Sequence, residues 1–316
     1  MTNKYPIHPD FEAIGKILEP VLAGDQVVTQ AMIEQFFTEW NNNTSDEEIK
    51  VTKMSIPSYD DVQIDLQIME PQTISDQPAP CLVYYHGGGF ILPINPFQLA
   101  LLREYILGTG CKVVCVDYRL APAVAFPVPV EDCYQTLLWT YQNATSLGID
   151  KQKIVLAGDS AGGSFAAAVS LMARDKNGPK TAGQMLIYPT TDARLETESM
   201  KTFIDTPVWN APATDMVYKL YMRDGDQGLR AYSSPLEADS FADLPQAYVE
   251  VTEFDCLRDE GILYAEALQK AGVATILNKT KGTVHAYDYA LENELTKEGL
   301  SHRIQFLKQI FGCSDR

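Results

Sequence analysis

The sequence predicts an α/β protein: a mostly parallel sheet of eight strands, helices on both faces and a helical cap. Three observations carry this reading. Short apolar runs of β type alternate with helical segments over most of the 316 residues. One such run, Ile154-Val155-Leu156-Ala157, passes straight into Gly158-Asp159-Ser160-Ala161-Gly162-Gly163 and then into a helical segment. That turn is tight enough to need glycine on both sides of its serine. Two amphipathic stretches, at the start and at 195–230, stand outside the alternation.

In chain order, residues 49–56 and 62–70 alternate apolar and polar side chains and read as an opening antiparallel pair. The more uniformly apolar runs at 80–85, 111–117, 153–157, 184–188, 246–252 and 273–279 read as buried strands. Helices fit between them at about 97–108, 130–144, 161–175 and 258–271, the last closed by Gly272 as a cap. Residues 1–45 place Phe11, Ile14, Ile17 and Leu18, then Met32, Ile33, Phe36, Phe37 and Trp40, at helical spacing. The insertion at 195–230 carries Phe203, Trp209, Met216, Tyr218, Tyr221 and Met222. Ordinary core packing would account for both stripes. The sharper expectation is that the two segments meet as a lid over Ser160 and shape a pocket. The division expected is an N-terminal helical cap segment, 1–45, and a catalytic domain, 46–316, with a cap insertion at about 195–230.

A hydrophobic content of 46% at this length supports a large core. The net charge of −17 leaves no basic stripe to neutralise phosphates, which excludes nucleic-acid binding and disfavours anionic membranes. It fits a solvated acidic surface. The apolar stretch Phe165–Ala173 is too short to cross a bilayer, and the start shows no basic segment followed by an apolar one. Six cysteines, at 81, 111, 115, 133, 256 and 313, are scattered without a CxxC pair. In strand-like runs a reduced cysteine is a small hydrophobe, so a reduced, cytoplasmic protein with neither metal nor other cofactor is expected. Asn143-Ala144-Thr145 matches a glycosylation sequon, which the lack of secretory features discounts.

A serine hydroxyl is a weak nucleophile near neutrality and needs a base, together with donors for the charge that develops on the substrate. His86-Gly87-Gly88-Gly89-Phe90 follows the strand at 80–85 and can aim backbone N–H groups at a substrate. Those of Gly88 and Gly89, with that of Ala161, would form an oxyanion hole, and His86 and Gly87 would support the loop. A phosphate cradle would call for GxxxxGK or GxGxxG, and neither occurs. If the chain order is serine, acid, histidine, the base comes late. Of the four histidines, His8 is N-terminal, His86 belongs to the glycine loop and His302 falls in a polar terminal helix. That leaves His285, in a loop after Gly282-Thr283-Val284. The acid should follow a strand, as Asp255 does; Glu253, Asp259 and Asp192 compete with it, and Asp159 would point into the elbow. Cys256, beside the acid, reads as a buried filler, with thiol sensitivity as the alternative.

These pieces together resemble the hormone-sensitive-lipase-like family of microbial carboxylesterases in the α/β-hydrolase superfamily. The shared motifs are HGGGF at 86–90, DYRLAP at 117–122, FP followed by ED within 126–132, GDSAGG at 158–163 and FDCLRDEG at 254–261. They come in the family's order, over roughly residues 60–290. The resemblance implies the α/β-hydrolase fold and a carboxylic-ester hydrolase with Ser160 as nucleophile, Asp255 as acid and His285 as base. It also implies Gly88, Gly89 and Ala161 as oxyanion donors. The chain departs from the family at Ala123-Val124, where Glu-His is usual, at Ser164, often asparagine, and at Ala286, commonly glycine.

The function expected is hydrolysis of short-chain esters through an acyl-enzyme, with a small-molecule ester as partner. No nucleic acid and no stable membrane insertion are expected, and a homodimer stays open. An amidase, peptidase or acyltransferase would use the same triad. A binding protein that had lost catalysis on this fold would be expected to lack His285.

Overall fold

The computed structural model describes residues 4–22, 48–73 and 77–313. Eight strands form one sheet in the order β1-β2-β4-β3-β5-β6-β7-β8. They are β1 (Ile49–Pro57), β2 (Gln63–Pro71), β3 (Ala79–Tyr85), β4 (Lys112–Asp117), β5 (Ile149–Asp159), β6 (Gly183–Ile187), β7 (Ala247–Val251) and β8 (Thr275–Lys279). The β1–β2 and β2–β4 pairs are antiparallel, and the others are parallel. The eight expected runs are therefore all strands. Burial explains their patterns: every residue of β6 and β7 is buried, as a parallel strand covered on both faces must be, whereas the edge strand β1 is mostly exposed. The fifth strand runs longer than its apolar stretch because Ile149 also pairs with Ala79, beyond a register shift.

Alternate residues of β3 feed two cores. Cys81, Val83 and Tyr85 pack with α3 (Val128–Asn143), α4 (Ala161–Asp175) and α8 (Arg258–Lys270). Leu82 and Tyr84 pack on the opposite face with α1 (Pro9–Leu22), α2 (Pro96–Thr109) and α9 (Glu294–Phe311). Residue 272 does cap α8: Gly272 follows the helix at φ 82°. The insertion forms α5 (Glu198–Thr202) and α6 (Ala211–Tyr221), followed by a short α7 (Arg230–Ser233). Phe203, Trp209, Tyr218 and Tyr221 of this region are buried in the first core. Phe11 and Ile14 of α1 lie in the second, on the helix that also carries Ile17 and Leu18. Met32, Ile33, Phe36, Phe37 and Trp40 lie outside the described residues. No helix among the described residues is long and apolar enough to cross a membrane.

The N-terminal segment and the insertion meet. Lys4 Nζ lies 2.7 Å from the Asp205 carboxylate, and the Tyr5 ring stands 6.0 Å from that of Phe203. Gly15 of α1 sits so close to Pro207 that a Cβ there would come within 2.7 Å of the proline Cβ.

Helix α4 crosses the ends of β3 and β5 in close backbone contact. A Cβ at Gly162 would stand 1.9 Å from the Tyr85 carbonyl oxygen, and one at Gly158 would stand 2.2 Å from the Gly162 carbonyl oxygen. Because the obstacles are backbone atoms of central elements, relief requires moving a helix. Gly162→Ala should cost about 3 kcal/mol or more, read as a lower urea midpoint at unchanged m-value.

Candidate active site

The site forms where β3 and β5 run side by side, with Tyr85 opposite Gly158. The chain leaves β3 for β4 on one side and returns to β5 on the other, so loops from both strands open into one crevice at their carboxyl ends. From β3 comes the glycine loop and from β5 the elbow. Ser160 has φ 54° and ψ −119°, a conformation costing on the order of 1–3 kcal/mol that its surroundings must enforce. They do so through backbone bonds from Ser160 N to Ile187 O (2.9 Å) and from Thr190 N to Ser160 O (3.2 Å), which tie the turn to the end of β6.

The structure brings Ser160, His285 and Asp255 together. The Ser160 Oγ lies 2.9 Å from His285 Nε2, and His285 Nδ1 lies 2.7 Å from Asp255 Oδ2. Asp255 accepts two more bonds, from Thr252 Oγ1 at 2.9 Å and from the Leu257 N–H at 2.9 Å. These fix its carboxylate just beyond the end of β7. Relative exposures of 6% for Ser160, 4% for His285 and 0% for Asp255 show a site from which water is largely excluded. The competing acids are engaged elsewhere. Glu253 accepts from the Gly282 N–H at 2.7 Å, Asp192 holds Arg194 at 2.7 Å, and Asp259 accepts from the Ser199 N–H at 2.8 Å in the first turn of α8. Of the other histidines, His8 pairs with Asp10 and His302 falls on α9.

The glycine loop lies against the elbow. Gly88 and Gly89 have φ 123° and 59°, which side-chain-bearing residues rarely adopt, and Ala161 opens α4 beside Ser160. Asp159 turns back toward this loop. Its carboxylate accepts from the Gly87 N–H at 2.9 Å, from Gln98 Nε2 at 2.9 Å and from the Tyr84 hydroxyl. Burial raises its pKa, and the Tyr84 and Gln98 bonds oppose that rise. Sequence reading placed Asp159 in the elbow but gave no sign of this latch; the separation between Asp159 and the residues it holds hid it.

Above the site stands Trp209, whose ring lies 5.9 Å from that of His285. A Cβ on Gly89 would come within 2.7 Å of the Trp209 ring. The indole N–H donates to Thr214 Oγ1 at 2.8 Å, and Thr214 Oγ1 lies 3.4 Å from Cys256 Sγ. Cys256 is fully buried, and burial pushes its thiol pKa well up, as expected of a filler. A second network lies below, which the sequence reading missed. Arg303 of α9 bonds Glu250 of β7 and, at 2.6 Å, Asp288, and all three are buried. Burial alone would raise the Glu250 pKa; Arg303, Tyr248 and Asn278 bring it below the usual value. A glutamate in the middle of the apolar run Ala247–Val251 was the available signal. Among the described residues, no three histidine, cysteine or carboxylate groups converge as metal ligands would.

His86 stacks on Tyr118 with ring centroids 4.2 Å apart. Its Nδ1 lies 2.8 Å from the Gly87 carbonyl, so Nδ1 carries the proton, and the buried Nε2 has no hydrogen-bond partner among the described residues. Burial lowers its pKa to about 4. An unfolded histidine titrates at about 6.5, so between those values the unfolded state binds more protons. The contribution is fully present above about pH 6.5 and is lost as pH falls through about 4. On the order of 3 kcal/mol is at stake. His86→Asn, which cannot titrate, should flatten this acid slope in urea unfolding measured from about pH 7 to pH 4. An unchanged slope would contradict the assignment.

The pattern of the α/β hydrolase fold family matches residues 82–289. The chain is 36% identical over 226 residues to the esterase LipI of Mycobacterium tuberculosis, covering 71% of each chain. It is 38% identical over 233 residues to an arylesterase of Saccharolobus solfataricus, covering 72% of this chain and 74% of that one. Among solved structures, a bacterial heroin esterase superimposes with a TM-score of 0.87 at 32% identity, covering 98% of this chain and 99% of that one. By its motifs, its fold and these relatives, the chain belongs to the hormone-sensitive-lipase-like carboxylesterases of the α/β-hydrolase superfamily.

Proposed function

We propose that this carboxylic-ester hydrolase is a serine esterase that cleaves short-chain esters through an acyl-enzyme. The observation that carries the reading is the hydrogen-bond series from Ser160 Oγ through both ring nitrogens of His285 to Asp255, in a site largely closed to water. His285 Nε2 takes the Ser160 proton as Oγ attacks the ester carbonyl. Asp255 holds the proton on Nδ1 and stabilises the imidazolium that forms. The N–H groups of Gly88, Gly89 and Ala161 receive the oxyanion, with His86 and Gly87 supporting their loop. His285 then protonates the leaving alcohol, and the same nitrogen activates the water that releases the acid.

In this reading residues 1–45 and the insertion at about 195–230 form a cap on the catalytic domain, 46–316. Trp209, packed on Gly89 and 5.9 Å from the His285 ring, sets a bulky side chain beside the glycine loop and supports a preference for small acyl groups. The free, buried thiols of Cys81, Cys111, Cys115, Cys133 and Cys256 support a reducing, cytoplasmic setting.

Hydrolysis of p-nitrophenyl esters from acetyl to palmitoyl, compared between the wild type and Ser160→Ala, tests this. Turnover should peak at the short chains, and the variant should lose about 10⁴-fold or more in kcat. A maximum at palmitoyl would contradict the acyl preference, and serine-independent turnover would contradict the mechanism. As pH falls, kcat/KM should decline along an acid limb, because the base must be neutral. A flat limb would remove His285 from that role.

A further inference from the structure

We propose that the C-terminal helix positions the catalytic histidine: Arg303 clamps Asp288, and Asp288 fixes Tyr188 against the His285 ring. The proposal rests on His285 being the base. That residue stands in a loop with little regular structure of its own. An isolated bridge pairs Phe254 with Val284, and Ala286 turns with φ 54° before a short 3₁₀ turn at Tyr287–Tyr289. Before the histidine the loop is held by the Gly282 N–H on Glu253 and the Phe254 N–H on the Thr283 carbonyl; after it, the next few side chains take over. Asp288 Oδ2 accepts from Arg303 Nη1 at 2.6 Å, and Asp288 Oδ1 accepts from the Tyr188 hydroxyl at 2.7 Å. Tyr287 donates to Glu250 Oε1 at 2.9 Å, and Glu250 is itself bonded to Arg303. Arg303 Nη1 also reaches the Tyr105 hydroxyl at 3.1 Å. Two consecutive residues after the histidine are thus tied to one buried guanidinium system.

Tyr188 carries the constraint to the imidazole. It directly follows β6, is buried, and sets its ring 4.6 Å from that of His285 at an interplanar angle of 60°. The bond to Asp255 holds one corner of the imidazole, at Nδ1. A rigid ring on the flank limits the tilt that would swing Nε2 away from Ser160 Oγ. Tyr188 can act as that stop because its hydroxyl is anchored to Asp288. A buried cluster of two carboxylates and one guanidinium is poor evidence of net stability, since desolvation offsets much of the attraction. Its placement, one ring contact from the base, points to geometry instead. Asp288, Arg303 and Tyr188 are positioning residues, and none is assigned a step of the chemistry.

The test compares Tyr188→Phe and Asp288→Asn with the wild type and His285→Ala, using p-nitrophenyl acetate and the low-field proton NMR resonance of the His285–Asp255 hydrogen bond. Tyr188→Phe keeps the ring and removes only its anchor, so it remains informative if Asp288→Asn fails to fold. Both folded variants should lose roughly tenfold to a hundredfold in kcat, as misplacement of a reacting group does. KM should stay within about twofold, and the low-field resonance should shift or broaden. Folded variants with wild-type kcat and an unmoved resonance would overturn the proposal, as would a loss carried wholly by KM. Wild-type turnover in His285→Ala would instead overturn the reading of the base on which it rests.

Discussion

Helix α4 can leave the end of β5 where it does only because Gly158 and Gly162 present no side chains at the crossing. With the carbonyl oxygen of Tyr85 1.9 Å from where a Gly162 Cβ would sit, β3, β5 and α4 are in backbone contact. That closeness has three consequences. It makes the turn tight, and within that turn Ser160 takes its positive φ. It sets the loop that follows β3 against the elbow that follows β5. It also brings Asp159 within reach of the Gly87 N–H, so that the residue before the serine holds the glycine loop. The strained residue and the donors proposed to serve it are thereby fixed by one piece of packing.

Around that crossing the molecule spends buried polarity unevenly. On one side the insertion contributes Trp209 and Thr214, whose hydroxyl meets the Cys256 thiol next to Asp255, with Tyr218 and Tyr221 packed in the core. On another side Arg303, Glu250 and Asp288 bring three charged groups out of water beside the loop that carries His285. Burial raises the cost of every unmet hydrogen bond in such a cluster; four tyrosines, at 105, 188, 248 and 287, supply donors or acceptors to it, while Arg303 Nε has no hydrogen-bond partner among the described residues. The imidazole lies between these two environments, with Trp209 and Tyr188 both near its ring.

Much of this was legible in the chain because the fold and its chemistry share short local signals. Apolar runs marked six strands and apolar–polar alternation marked the opening antiparallel pair, since strands covered on both faces are built mostly of apolar residues. Flanking glycines singled out Ser160, and chain order and places after strands singled out His285 and Asp255; the structure sets these three side chains within hydrogen-bond reach. What stayed hidden depended on contacts distant in sequence. Arg303 sits in a helix that reads as polar, and only its tertiary partners reveal it as buried. Asp159 looks like one more elbow residue until the Gly87 loop is seen across the crevice. Residues 149–152 extend β5 although they include Asp150, Lys151 and Gln152; of these Ile149 pairs with Ala79 of β3 across a register shift, a long-range pairing that no local pattern announces.

The proposed mechanism requires that Ser160 become acylated. Its most direct test is treatment of the folded protein with a small p-nitrophenyl phosphonate, followed by intact mass and peptide mapping. One adduct per chain should form, on the peptide carrying Ser160, in step with loss of activity and slowed strongly in His285→Ala. Loss of activity with the adduct on another residue, or full esterase turnover from a protein phosphonylated at Ser160, would contradict it.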